Sequence, residues 1–276
     1  MCYAKNMPDD GNYLQQKTAI FRFYGDLNKL LVPNRRGRES MLDFKGRQTV
    51  KHLIESLGVP HTEVGLILVD GQAVDFSLIP SQDERVAIFP HFERLTLSQL
   101  HQLRPSLDGQ PRFALDGHLG RLAAFLRMLG FDALYFNHID DSTLASLAIR
   151  DGRVLLTRDR GLLKRGTVVY GCCLLTLEPR LQLLQVVRRY HLTHYLKPFT
   201  RCMVCNGQLH EVRKADVLTQ LEPKTRRYFD EFERCADCDK VYWAGSHHTR
   251  MLAVIEWLLQ QVPPQAEMCT YARGNL

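Results

Sequence analysis

Four acids and four cysteines carry the chemistry this chain can do. Asp116 directly follows Phe113-Ala114-Leu115, Asp140 and Asp141 follow the apolar run at 133–136, and Asp159 follows Val154-Leu155-Leu156-Thr157 with Arg158 between. Each acid stands where an apolar run turns into a stretch of helical period. Carboxylates held about 4 Å apart repel by about 4 kcal/mol per pair at an effective dielectric near 20. A hard divalent cation, Mg²⁺ or Mn²⁺, offsets that repulsion and prefers carboxylate and water oxygens. An ion so held activates a water and offsets charge on a leaving oxygen, the usual apparatus of phosphodiester cleavage. On this reading Asp116 and Asp159 are ligands, Asp141 completes the set, and Asp140 either joins them or caps a helix. The alternative is three unrelated helix caps, since an Asp at this position satisfies orphan N–H groups.

The basic residues Arg158, Arg160, Lys164 and Arg165 bracket Asp159 and would hold phosphates beside the ion, or else form a solvated loop. His118, two residues after Asp116, could orient water. No G-x-G-x-x-G or Walker pattern follows any apolar run, and no second acid stands beside Asp116 as a phosphoacceptor site would need.

Cys202-Met203-Val204-Cys205 and Cys235-Ala236-Asp237-Cys238 form C-x₂-C-x₂₉-C-x₂-C. Two such knuckles present four thiolates tetrahedrally, and a site without an open position is a structural zinc site. The insert between them mixes cations with aromatics at Arg213, Lys214, Lys224, Arg226, Arg227, Tyr228 and Phe229, a pattern that suits either RNA contact or a helix with a solvated basic face. His247 follows the second knuckle and could reach RNA. Cys172 and Cys173 lie in an apolar run and read as buried small hydrophobes.

These groups need a scaffold, and from residue 113 the pattern supplies one. Strands at 113–115, 133–136 and 153–157 alternate with helices at 118–129 and 142–150, followed by an apolar run at 167–177 and a helix at 179–195. Strands alternating with helices imply right-handed crossovers and a mainly parallel sheet with both faces covered, an α/β fold. In a parallel sheet every strand-to-helix loop emerges on one edge, so Asp116, Asp140, Asp141 and Asp159 are delivered together. Asp132 starts a strand, points to the opposite edge and reads as a turn residue.

The N-terminal third differs. The order ββαβββ over 18–94, with Thr49 as a helix cap, Gly58 as its stop and Asp70-Gly71 as a hairpin turn, gives a small α+β sheet domain. Residues 1–17 read as a polar lead-in, 95–111 as a connector, 112–198 as the α/β domain, 199–262 as the cysteine module with a closing helix at 251–259, and 263–276 as a tail. Residues 1–112 carry 14 Lys and Arg against 13 Asp and Glu, and residues 113–276 carry 22 against 17, so the net charge of +6 sits mostly in the second part, the one suited to a polyanion. No apolar stretch is long enough to span a bilayer and the first twenty residues lack a secretion core, so the expected location is cytoplasmic, without a membrane partner.

The segments Asp116-Gly117-His118-Leu119-Gly120-Arg121-Leu122-Ala123, Leu126-Arg127-Met128-Leu129-Gly130-Phe131-Asp132, Asp140-Asp141 and Leu155-Leu156-Thr157-Arg158-Asp159-Arg160 together resemble the Mut-seven C-terminal ribonuclease family, PIN-like nucleases with a zinc ribbon. The likeness covers about 113–260. The unit over 18–94 resembles ubiquitin-like sulfur carriers of the β-grasp fold and the module found upstream in bacterial members. The resemblance implies a PIN-like fold and metal-dependent RNA cleavage, with Asp116, Asp141 and Asp159 at the family's acidic positions. It leaves two functions to separate: a ribonuclease, or an RNA- or ribosome-binding adaptor with structural zinc and no turnover. The β-grasp unit would dock a protein partner, position substrate or serve the fold alone.

Overall fold

The computed structural model describes residues 16–92, 103–105, 107 and 109–262. Residues 1–15 of the lead-in, most of the connector and the tail fall outside the described residues, and Gln16 and Lys17, expected in the lead-in, begin the first strand. In chain order the strands and helices are β1 (Gln16–Phe23), β2 (Ser40–Lys45), α1 (Val50–Ser56), β3 (Val64–Val69), β4 (Gln72–Ala73), β5 (Arg85–Pro90), β6 (Phe113–Leu115), α2 (Gly120–Met128) and β7 (Ala133–Tyr135). There follow α3 (Asp141–Arg150), β8 (Val154–Thr157), α4 (Arg160–Leu163), β9 (Gly171–Cys173), α5 (Pro179–Arg189), β10 (Leu209–Val212), α6 (Lys214–Val217), α7 (Pro223–Tyr228), β11 (Phe232–Cys235), β12 (Val241–Tyr242) and α8 (Ser246–Gln261). The chain divides into two compact units: the residues up to His118 with Phe136–Leu175, and Leu119–Tyr135 with the residues from Thr176 on.

In the first unit, a mixed sheet of order β2-β1-β5-β3-β4 has β1 parallel to β5 and its other pairs antiparallel. The period-two pattern of β1 buries Ala19, Phe21 and Phe23 on one face. Thr49 caps α1, its Oγ1 accepting from His52 N at 3.4 Å, and Gly58 at φ +103° ends the turn after it. Asp70 and Gly71 both take positive φ, as a two-residue hairpin between β3 and β4 demands.

The parallel strands β6, β8 and β9 run side by side with every residue buried. Fully apolar strands suit a sheet covered on both faces, and α3 packs on β6 and β8 while α4 packs on β8 and β9. The two sheets of this unit share one hydrophobic core, in which Phe21, Leu53 and Ile67 belong to the same cluster as Ala114, Leu144, Leu155 and Val168. Polar contacts reinforce the joint. His61 Nε2 meets Val168 O at 2.8 Å, Glu63 Oε1 accepts from Cys173 N at 2.7 Å, and the sheet that could have been a tethered module is built into the unit instead.

In the second unit, α2 turns Leu122, Ala123 and Leu126 inward against α5, whose buried face is Leu183, Val186 and Val187. Gly130 follows α2 at φ +93°, and a Cβ there would lie 2.3 Å from Lys197 O, so only glycine lets the chain pass. The helix expected over 179–195 stops at Arg189 because His191 turns left-handed at φ 50°, leaving Leu192–Tyr195 as a 3₁₀ turn. The antiparallel sheet β10-β11-β12 closes over a small core of Val217, Leu221 and Phe232. No helix among the described residues is long and apolar enough to cross a membrane.

Candidate active site and metal centre

β6 and β8 deliver two acids from adjacent parallel strands. The buried Thr157, the last residue of β8, joins them: its Oγ1 donates to Asp116 Oδ2 at 2.8 Å and accepts from Asp159 N at 2.9 Å. Thr157 was not singled out in the sequence. A polar residue ending a run of buried apolar ones must find partners, and that was the available signal.

Asp116 lines an open cleft of about 720 Å³ with His118, His138, Asp140, Asp141 and Thr143. Gly117 lets the Asp116 loop approach the next one, since a Cβ there would stand 3.1 Å from Asn137 O. Asp140 sits in the cleft as the N-cap of α3. It accepts from Thr143 N at 2.9 Å, from Thr143 Oγ1 at 2.6 Å and from Ser142 Oγ, and these bonds, led by that of Ser142, hold its carboxyl well below the usual range. Asp141 is the first residue of α3, exposed and without a cation partner among the described residues. Asp159 is exposed and caps α4, accepting from Gly161 N at 2.7 Å.

The acids therefore converge in part: Asp116, Asp140 and Asp141 share the cleft, while Thr157 ties the Asp116 carboxylate to the backbone N–H of Asp159, whose own carboxylate accepts from Gly161 N. They are not drawn as tightly as the thiols, which are the set of three or more metal-ligating side chains found within 4.8 Å of one another among the described residues.

Two of the four bracketing cations face elsewhere. Arg160 Nη1 donates to Leu30 O at 2.6 Å and Lys164 Nζ to Glu55 O at 2.6 Å, both carbonyls of the N-terminal sheet unit. Arg158 and Arg165 remain exposed. In the cysteine insert, Lys214 pairs with Asp230 at 2.8 Å, Arg213 with Asp216 at 2.8 Å, and Arg226 Nε donates to Leu221 O, while Lys224 and Arg227 are exposed.

The four thiols Cys202, Cys205, Cys235 and Cys238 lie within 4.8 Å of one another, with Cys202–Cys238 at 3.6 Å and Cys205–Cys235 at 3.3 Å. Four thiolates at about 2.3 Å around one tetrahedral ion stand about 3.8 Å apart, so the set fits zinc. Burial disfavours the Cys202 thiolate, but hydrogen bonds from the Tyr242 hydroxyl and the N–H groups of Cys205 and Val204 outweigh it and bring the thiol to about 7.

Arg127, another residue that the sequence did not flag, anchors this knuckle. Buried in α2, it donates to Ala133 O at 2.9 Å, Met203 O at 3.2 Å and Val204 O at 2.8 Å. Asn206 completes the joint, accepting from Ala133 N at 3.0 Å and donating to Asp132 Oδ1 at 2.8 Å, so Asp132 is more than a turn residue. His247 is exposed at the start of α8.

Two family models match the chain, the Mut7-C RNAse domain over residues 111–255 and the Mut7-C ubiquitin over residues 16–96. No curated protein and no solved structure matches it. The first model spans just over half of the chain and covers the parallel strands with their helices and the four-cysteine cluster, and the second covers the five-stranded N-terminal sheet. The chain belongs to the Mut7-C RNAse domain family, with a Mut7-C ubiquitin unit preceding the RNase domain.

Proposed function

We propose that this protein is a divalent-metal-dependent ribonuclease that hydrolyses RNA phosphodiester bonds at the Asp116 cleft, with zinc as a structural ion in the four thiols. The observation that carries the reading is the link Asp116–Thr157–Asp159 beside a cleft that also holds Asp141. Asp116, Asp141 and Asp159 would hold Mg²⁺ or Mn²⁺. Mg²⁺ is usually held by one or two carboxylates and keeps several of its waters, so it does not need the close set that the thiols form. When bound, the ion activates water and offsets charge on the leaving oxygen. The chain's own residues set the stage: Thr157 fixes the Asp116 carboxylate, and Asp140, as cap, fixes the first turn of α3 and with it Asp141. His118 borders the cleft as an imidazole able to carry a proton. Arg158 and Arg165 are exposed for phosphate contact and, unlike Arg160 and Lys164, are not spent on backbone carbonyls. A protein partner would meet the β-grasp sheet on its outer side, where Met41 is 71% exposed.

Asp116→Asn is the test. With Mg²⁺ or Mn²⁺ the variant should cleave single-stranded RNA at least a hundredfold more slowly while binding it within threefold of the wild-type affinity. Spending the Asp140 and Asp159 carboxylates as caps favours the adaptor reading instead. That reading prevails if the wild-type protein, zinc loaded, cleaves no member of an RNA panel with either ion.

A further inference from the structure

Away from the acids, a cavity of about 390 Å³ in the second unit is bordered by Arg121 and Phe125 of α2, Glu178 and Arg180 at the start of α5, and His247 and Arg250 of α8. Three helices of 9, 11 and 16 residues meet it with their first turns. Each helix N-terminus carries about half a positive charge and unsatisfied N–H groups. Neither α2 nor α8 has a side-chain cap or an acid in its first turn. α5 is capped by Glu178, which accepts from Arg180 N at 3.4 Å and is the cavity's one carboxylate. Arg121, Arg180 and Arg250 are exposed, and none of their guanidinium groups has a hydrogen bond or ion pair within the described residues. Three unpaired guanidiniums and three positive helix ends against one carboxylate leave a concave site with a net positive field. An anion is what such a site lacks.

We propose that this cavity binds the phosphodiester backbone of the single-stranded RNA substrate, with Arg121, Arg180 and Arg250 each contacting phosphate. A guanidinium fork matches two phosphate oxygens at once. Phe125 adds a ring on which a base can stack. The inference rests on the ribonuclease reading for the identity of its ligand, but its test reads binding, not cleavage, so the two fail separately.

Binding of a fluorescein-labelled twelve-nucleotide oligouridylate to the full zinc-loaded chain is followed by anisotropy across a salt series without added Mg²⁺ or Mn²⁺. Each phosphate contact on single-stranded nucleic acid contributes about 0.7 to the slope of log K against log salt, so three contacts contribute about 2. The variant Arg121→Gln/Arg180→Gln/Arg250→Gln should lower the slope by about 2 and weaken binding at least tenfold near 150 mM salt. The same three positions changed to Lys should keep the slope. Arg38→Gln/Lys45→Gln/Arg47→Gln removes equal charge at exposed positions elsewhere and should stay within threefold of wild type. An unchanged slope in the first variant, or an equal loss in the third, overturns the proposal. So does a rise in melting temperature with 5 mM inorganic phosphate that the Gln variant abolishes while RNA affinity stays intact, since the site then takes free phosphate. If the Gln variant fails to fold, the exposed single reversal Arg250→Glu is read by the same criteria.

Discussion

Replacing Thr157 by Val keeps the shape of a fully buried side chain and removes one hydroxyl. That hydroxyl donates to the Asp116 carboxylate at 2.8 Å and accepts from Asp159 N at 2.9 Å. A hydrogen bond to a charged group contributes about 1.5–3 kcal/mol, and an orphaned N–H costs about 1–3 kcal/mol. Asp116 is half-buried and Asp159 exposed, so both contributions belong at the low end, together about 3 kcal/mol. At roughly 2–4 °C per kcal/mol for domains of this size, the melting temperature should fall by roughly 6–12 °C. The catalytic loss should be larger in proportion. A carboxylate freed to wander by about 1 Å costs on the order of a hundredfold in rate. Cleavage of a quenched fluorescent RNA in Mn²⁺ and calorimetric melting read the two effects, and Thr157→Ser, which keeps the hydroxyl, should recover both to within about threefold and about 2 °C. If the Val variant melts within about 1 °C of wild type, the bonds have no weight. If it melts early yet cleaves at the normal rate, Thr157 serves the fold and does not position Asp116.

Arg127→Met should cost about 3–5 kcal/mol, because three backbone carbonyls around a buried guanidinium lose their donor at once; a chromogenic chelator should also strip zinc from it at lower concentration than from wild type. Asp140→Ala should lower the melting temperature at pH 7. Its folded-state carboxyl is depressed below the unfolded value of about 3.9, so that stability is present above this pH and lost as pH falls through the acid range below it, and the difference between variant and wild type should shrink at pH 3. Arg160→Gln with Lys164→Gln should lower stability while leaving RNA affinity within twofold, as both cations already serve helical carbonyls of the β-grasp part, Leu30 O and Glu55 O.

Much of this was legible from periodicity. The β-grasp order, the Asp70-Gly71 turn, the Gly58 and Gly130 stops and the strand–helix alternation are local patterns, set by sterics and burial within a few residues. The four cysteines were legible from spacing alone. The partners of the loop cations were not. Arg160 and Lys164 stand beside Asp159 in sequence but bond to carbonyls more than a hundred residues away, and charge says nothing about which acceptor a long side chain will reach. Arg127 was hidden by its helix, where a cation near the C-terminal end already has a dipole to satisfy. Of the two roles the sequence left open to Asp140, the cap is the one seen, and Ser142 and Thr143 supply its donors.

The shared core of the first unit bears on how the chain could be trimmed. A fragment starting at residue 111 would hold every catalytic candidate and all four thiols, yet the cluster of Ala114, Leu144, Leu155 and Val168 would lose the apolar side chains of Phe21, Leu53 and Ile67. Exposed apolar surface of that kind drives aggregation. The first residue of the RNase-domain match is thus a cut that would run through a hydrophobic core, and a fragment made there should aggregate.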